Sequence, residues 1–456
     1  MSNCQFQIHS DKKNLTLTAE QLVFYKQSKV LEASDKNANH YYLIFYKNDF
    51  INGIKRNQIK LNSHVHQAFK NGIHFSGSHP LTTHLLKSQA SLHCVSINQL
   101  YKTIQKSYPK IETALIISYF DSFTKAGSVE KLFKRTFYDF RRNGQNLTAY
   151  QLLKTSLNSG RDSKFVQDMM NDLQLQKYKT IYEDIKNVYE NDPINFEAIS
   201  FDVLAQEDAF DLLIQLYSEQ DRPLDELAIR TMRLNNKFSK SNLTAILQIL
   251  SDFSMEDQIL FLQSLKQTKA VKEQLMNVIM SSGNANAIVE FLMNASITPQ
   301  QEHTETTIQA FEKADKEVLS SAFDRSGKRL LELCNNEAHT LDRMVKPFVS
   351  AFLEDYQLNS ILTWLNPFQA AGYHLPIERK LLKMAAMMED PDQQFALGEL
   401  YVQFQQLEKS IDCFKWEMEM HPEDRKPVTY LSKVYHQLGN KEEAAAYQQL
   451  LIQMNK

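Results

Sequence analysis

The chain has 456 residues, 43% of them hydrophobic and 23% charged, so it can bury a sizeable core and is not disordered by composition. Its 11 glycines and 11 prolines fall well below the averages of about 7% and 5%, which argues against glycine-rich phosphate loops, hairpin-dense sandwiches and linker-rich chains and favours helices joined by short polar turns. The formal charge of -3 hides an asymmetry: residues 1–155 hold 21 Lys+Arg against 9 Asp+Glu, and the remainder holds 30 against 45.

The first 97 residues read differently from everything after them. Runs at 15–17, 22–25, 41–46 and 92–97 are short, aromatic or β-branched, and bounded by Asn, Asp, Lys and Ser, the punctuation of strands. A short helix fits 82–90, and turns are expected at Asn52-Gly53, Asn71-Gly72 and His79-Pro80. The prediction is a small basic α+β domain over 1–97. It is rich in histidine: eight of the 13 fall in the first 100 residues, among them His64, His66, His74, His79, His84 and His93. A pair spaced as His64 and His66 can converge on one face of a strand, and His is a common metal ligand. Against that, no acidic residue lies between Asp49 and Glu112 and no metal-binding spacing occurs, so no metal and no cofactor is expected.

From residue 98 the apolar spacing turns helical. Segments 98–107, 111–124, 129–142, 148–158 and 163–173 each carry apolar residues three and four apart. The rhythm continues through 178–189, 209–217, 224–234, 242–252, 254–266 (opened by the capping box Ser254-Met255-Glu256-Asp257), 270–280 and 285–294. A helical-repeat region over 98–300 follows from this. After a polar stretch at 298–306, helices at 306–323, 327–335, 341–353 and 357–366 lead into a third region, 301–456. Hairpins of this kind cannot each bury both faces alone and are expected to stack into a solenoid.

Within the second region one helix is both basic and aromatic. Lys131, Lys134, Arg135, Tyr138 and Arg142 recur at helical spacings and form one cationic face, with Phe133, Phe137 and Phe140 on the buried side. Such a face can neutralise phosphates, which makes it a candidate polyanion or nucleic-acid surface. The ordinary reading is a solvated face, or one docked on the acidic part of the chain.

The last residues repeat. Setting 391–424 above 425–456 at a period of 34 places Leu397 on Leu431, Tyr401 on Tyr435, Phe404 on Leu438 and Ser410 on Ala444. With Leu397-Gly398, Tyr401, Ser410, Phe414 and Pro422, the first unit resembles the tetratricopeptide (TPR) repeat family. The second keeps Leu431, Tyr435 and Ala444 but has Ser432 for the glycine and Gln448 for the aromatic. Upstream the same register puts Pro367 and Pro376 where Tyr and a small residue belong.

The resemblance implies that the first helix of each unit lines a concave groove. Its positions are Asp392, Phe395, Glu399, Val402 and Gln403 in the first unit and Lys426, Thr429, Lys433, His436 and Gln437 in the second. The family's clamp for a terminal carboxylate uses Lys and Asn early in the first unit. Phe395 and Glu399 stand there instead, so an amphipathic helix or an internal segment is the expected occupant. Ala445, Leu450, Leu451 and Met454 on the final helix offer a surface for self-association, giving a homo-oligomer through this end.

The remaining signals concern compartment and chemistry. Cys4, Cys94, Cys334 and Cys413 lie far apart, with no C-x-x-C pair. The opening MSNCQFQIHSDKKN has no apolar core, and no run approaches the ~18 apolar residues of a membrane span. A cytoplasmic setting is expected. No G-x-G-x-x-G, G-x-x-x-x-G-K-[ST] or G-x-S-x-G occurs. The chain therefore reads as mainly α, a TPR-like helical-hairpin solenoid with a small N-terminal α+β domain. Its function reads as a non-enzymatic scaffold or adaptor that holds a peptide or protein segment. The alternative is an N-terminal module, polyanion-binding or enzymatic, regulated by the helices.

Overall fold

The aromatic and β-branched runs near the N-terminus form one curved sheet, seen in a computed structural model that describes residues 4–10, 13–161, 163–295, 297–388 and 390–454. The strands are β1 (Gln5–Ser10), β2 (Lys13–Tyr25), β3 (Ser28–Ser34), β4 (His40–Tyr46), β5 (Asp49–Lys55), β6 (Ile73–Ser76) and β7 (His93–Cys94). Their order is β5-β4-β3-β2-β1-β7, with β6 also paired to β2. The long β2 serves two neighbours on one edge: residues from Lys13 to Thr18 pair with β1, and Gln21 to Phe24 pair with β6. Between those stretches a bulge at Glu20 shifts the register against β3. Gly77 sits against it so closely that a Cβ would lie 2.0 Å from the Ala19 carbonyl oxygen.

Two expectations fail in this region. Asn52-Gly53 lies inside β5 rather than in a turn. The Asn52 amide reaches over to Val95, donating to its carbonyl at 2.8 Å and accepting from its N–H at 2.9 Å, which ties β5 to the end of β7 and curls the sheet toward a barrel. A Cβ on Gly53 would meet Cys94 Sγ at 2.8 Å. His64 and His66 lie in the first turn of the helix His64–Asn71, capped by Ser63, so they diverge and do not share a strand face.

The chain divides into two compact units, Met1–Gln267 and Thr268–Lys456. In the first, helices follow the strands from Ile97–Ser107 through Met255–Ser264. The predicted helix at 178–189 is broken into a 3-10 turn, Lys179–Tyr182, and a helix, Ile185–Asn191. A helix with no predicted counterpart, Pro193–Asp202, follows, with Asp192 as its cap and Pro193 in its first turn. The residues of β3 and β4 are almost all buried on both faces, because the sheet's interior lies on one side and these helices on the other.

The second unit is a succession of helices, most of them packed on the next: Lys269–Ser282, Ala285–Asn294, Thr304–Lys313, Phe323–Leu333, Ala338–Asp355, Leu358–Ala370, Pro376–Met388, Gln394–Gln403, Leu407–Met420, Arg425–Gln437 and Lys441–Gln453, with Thr304–Lys313 reaching past Phe323–Leu333 to Ala338–Asp355. The predicted helix 306–323 ends early at Lys313, and the short helix Lys316–Ser320 follows. Side chains also tie the helix Ala338–Asp355 to the turn after Gln394–Gln403, past the two helices between them in sequence. Ser350 Oγ donates to the Phe404 carbonyl at 2.7 Å, and the Gln406 amide donates to the Ser350 carbonyl at 2.9 Å. The architecture is mainly α, built of stacked helical hairpins, with a small strand-rich domain at the N-terminal end. Among the described residues no helix is long and apolar enough to cross a membrane. All four cysteines are free thiols.

Candidate functional site

The 34-residue repeat has a direct packing cause. In the hairpin Gln394–Gln403 with Leu407–Met420, Gly398 lies under the Phe414 ring, where a Cβ would sit 2.7 Å from Cε1. In the following hairpin the equivalent residue is Ser432, buried, with Oγ donating to the Ala444 carbonyl at 3.1 Å. Leu397, Leu431, Ser410, Phe414 and Ala444 are all buried.

None of the ten positions assigned to the groove is buried. Asp392, Gln403, Lys426, Lys433, His436 and Gln437 are exposed, and Phe395, Glu399, Val402 and Thr429 are half-buried. Phe395 packs edge-on to Tyr430 at 5.5 Å between centroids and against Phe414 at 5.6 Å, so it props the two hairpins apart more than it offers a free ring. Glu399 accepts from the Tyr430 hydroxyl at 2.7 Å, and Lys433 lies over the same ring. Gln403 accepts from Lys380 Nζ at 3.0 Å. Around Gln403 a cleft of about 470 Å³ continues onto earlier helices, with Arg343, Lys346 and Lys380 on its walls and Pro347, Ile377 and Phe404 beneath. Sequence reasoning missed this extension, because Pro367 and Pro376 disrupt the repeat register that would have marked it.

The basic helix is Ser128–Arg142, with Phe133, Phe137 and Phe140 buried. Its charges fall into two sets. Lys134 pairs with Glu130 at 3.2 Å and lies over Phe165, and Arg142 lies 3.8 Å from Asp139. Lys131 and Arg135 are exposed and turn to a groove beside the helix Ile97–Ser107, where Arg135 donates to the Tyr101 hydroxyl. Tyr138 is 46% exposed.

The histidines serve local structure. His79 caps the helix Pro80–Lys87 through its ring and bonds Ser264 Oγ at 2.9 Å; burial pushes its pKa down to about 4. His84 stacks on Phe253 and faces Asp257 at 3.3 Å, and His93 stacks on His9. His64 is buried, stacked on Tyr119, with Nε2 2.8 Å from Ser28 Oγ. Burial holds it well below the usual imidazole range, with Arg161 and Lys26 acting in the same direction. It borders a polar cavity of about 330 Å³ whose walls include Gln27, Asn158, Asn195 and the buried Tyr119, whose hydroxyl has no hydrogen-bond partner.

Next to this cavity runs a buried ionic network that no sequence pattern indicated. Arg222 donates to both Glu197 oxygens, at 2.9 and 2.6 Å, and to Asp225 at 3.1 Å. Lys29 donates to Asp225 at 2.6 Å and to the Lys47 carbonyl at 2.5 Å. Burial lowers the Lys29 pKa despite the attraction of Asp225. Burial alone would raise Asp225, but Arg222 and Lys29 hold it below its ordinary value. These four side chains join β3 to the helices Pro193–Asp202 and Pro223–Asn236.

Among the described residues one trio of cation-type donors converges: Glu20, Glu32 and His40 on the sheet. His40 Nδ1 lies 3.9 Å from Glu20 and 3.5 Å from Glu32, and the Tyr42 hydroxyl donates to the same Glu32 oxygen. Each side chain is a fifth or more exposed, and the spacing suits His–Glu ion pairs equally well, so no metal centre is assigned.

The fold thus belongs to the class of stacked helical-hairpin proteins. No family model matches the chain, and no curated protein matches it. Ten solved chains match. One is the human IFIT1 dimer with PPP-AAAA, 14% identical over 76% of this chain and 94% of that one, at a TM-score of 0.18. At that score the two folds do not superpose as wholes.

Proposed function

We propose that this protein is a non-enzymatic scaffold or adaptor whose TPR-like carboxy-terminal hairpins hold a peptide or protein segment of a partner. The observation that carries this reading is the accessible first-helix face. All ten groove positions reach the surface, and the cleft at Gln403 extends that face with three basic side chains over an apolar floor. A floor of this kind suits apolar side chains of a helix or extended segment. Arg343 and Lys346 are paired with Glu305 and Asp342, whereas Lys380, Lys426 and Lys433 have no carboxylate within ion-pair distance among the described residues, and these three favour a segment with an acidic flank. Phe395 supports the surface from beneath, so the test leaves it intact.

The experiment is affinity purification of the full chain from its native cells, comparing wild type with the double variant Lys380→Glu/Lys433→Glu. Both lysines are exposed, so the fold survives the change. Loss of one or more partners from the variant is expected. An identical partner set, with both proteins equally folded by circular dichroism, rejects the groove.

A further inference from the structure

We infer that the groove between the helices Ile97–Ser107 and Ser128–Arg142 binds an amphipathic anion, a single carboxylate- or phosphate-type headgroup on an apolar body. The groove holds about 570 Å³, within the range of small-molecule sites at about 300–1,000 Å³. Lys125, Lys131 and Arg135 stand on its walls, and no Asp or Glu lines it. Among the described residues none of these three cations has a carboxylate within ion-pair distance, and Arg135 has only the neutral Tyr101 hydroxyl.

The contrast within one helix makes this informative. Outside the groove Glu130 pairs with Lys134 at 3.2 Å, and Arg142, two turns beyond Arg135, lies 3.8 Å from Asp139. On the groove face the charge is left uncompensated, which is the electrostatic complement of an anion. The floor is apolar: Ile117 and Val129 are buried, and Ile97, Phe123 and Leu132 are half-buried. A bare inorganic anion would leave that floor wet. A nucleic-acid backbone would need a continuous track of cations, and the carboxylates of Glu130 and Asp139 beside Lys134 and Arg142 interrupt it. An apolar body with one charged end satisfies both surfaces.

The test is isothermal titration of the full chain with dodecanoate below its micellar concentration, beside dodecanol, inorganic phosphate and a short single-stranded oligonucleotide. Dodecanoate should bind at one site per chain. Lys131→Glu and Arg135→Glu, both at exposed positions, should each weaken it at least about tenfold. Arg142→Glu, two turns beyond Arg135 and outside the groove lining, should leave it unchanged. Dodecanol binding as tightly as dodecanoate overturns the charged half of the inference. Phosphate or oligonucleotide binding as tightly overturns the apolar half. Dodecanoate affinity indifferent to Lys131→Glu and Arg135→Glu, with the variants folded by circular dichroism, removes the site.

Discussion

The four buried charges of the first unit allow a quantitative test of what holds the sheet to its helices. Lys29 and Arg222 carry two positive charges, Glu197 and Asp225 two negative ones, and each side chain is at most 3% exposed. The cluster is neutral as a whole, and Asp225 Oδ2 is shared by both cations. Asp225→Asn leaves two buried cations facing Glu197 alone. Lys29→Met leaves a net negative charge where no water reaches. Breaking a buried pair from one side costs about 3–5 kcal/mol, because the remaining partner is stranded. Lys29→Met/Asp225→Asn restores neutrality, so its cost should fall well short of the sum of the two, with a coupling of about 2–3 kcal/mol.

Both tryptophans, Trp364 and Trp416, lie in the second unit, so native fluorescence does not see this cluster. Hydrogen exchange at the amides of β3 and β4 does, and it gives the opening free energy of the first unit directly. Single-variant losses that add to the double-variant loss within about 0.5 kcal/mol would refute the reasoning. The network would then be a set of independent contacts.

Three further outcomes follow from the packing and the histidines. His64 and His79 have folded pKa values depressed below the ordinary 6.5, the latter to about 4. Their contribution is fully present above about pH 6.5 and is lost as pH falls, because the unfolded chain takes up protons that the fold refuses. Between pH 7.5 and 5 His79 should cost the first unit about 2 kcal/mol, with His64 adding to the loss in the same direction; equal protection of β3 and β4 amides at both values contradicts this. Gly77→Ala should cost about 2–3 kcal/mol by driving a methyl group into the Ala19 carbonyl, and a melting temperature equal to wild type would show that the bulge yields. Gly398→Ala, aimed at the buried Phe414 ring, should cost about 1–3 kcal/mol and lower the tryptophan-detected midpoint of the second unit, which an unchanged urea midpoint would rule out.

Legibility from sequence followed the range of the interactions. Leu397, Tyr401 and Ser410 sit within one hairpin, and Leu431, Tyr435 and Ala444 take the same places 34 residues later, so periodicity exposed the pair of hairpins. Phe133, Phe137 and Phe140 were readable because one face of their helix is solvated and the other is not. The helix Pro193–Asp202 was invisible because it is buried nearly all round, Asn195 and Glu197 included, and therefore lacks an apolar stripe. Lys29 and Asp225 are 196 residues apart, and nothing local distinguishes a buried lysine from a solvated one. Asn52-Gly53 misled for a related reason. The dipeptide is the strongest short turn signal, yet here Asn52 spends its amide on Val95 and Gly53 makes room for Cys94.

The charge asymmetry of the chain has a structural counterpart that bears on both proposed surfaces. Residues 156–267, with 11 Lys+Arg against 19 Asp+Glu, return 8 of the 12 excess positive charges of residues 1–155 within the first unit. Several do so by direct contact: Asp202 on Lys26, Asp225 on Lys29 and Asp172 on Arg141. Basic residues in the first 155 positions are therefore not equivalent. Those facing the later helices are neutralised in place and contribute cohesion, so replacing them perturbs folding. Lys125, Lys131 and Arg135 have no such counterpart and remain available to a ligand. Salt should separate the two kinds. The buried pairs are shielded from screening, whereas an anion held by the exposed trio should dissociate as ionic strength rises past about 0.1 M, where the Debye length is about 10 Å.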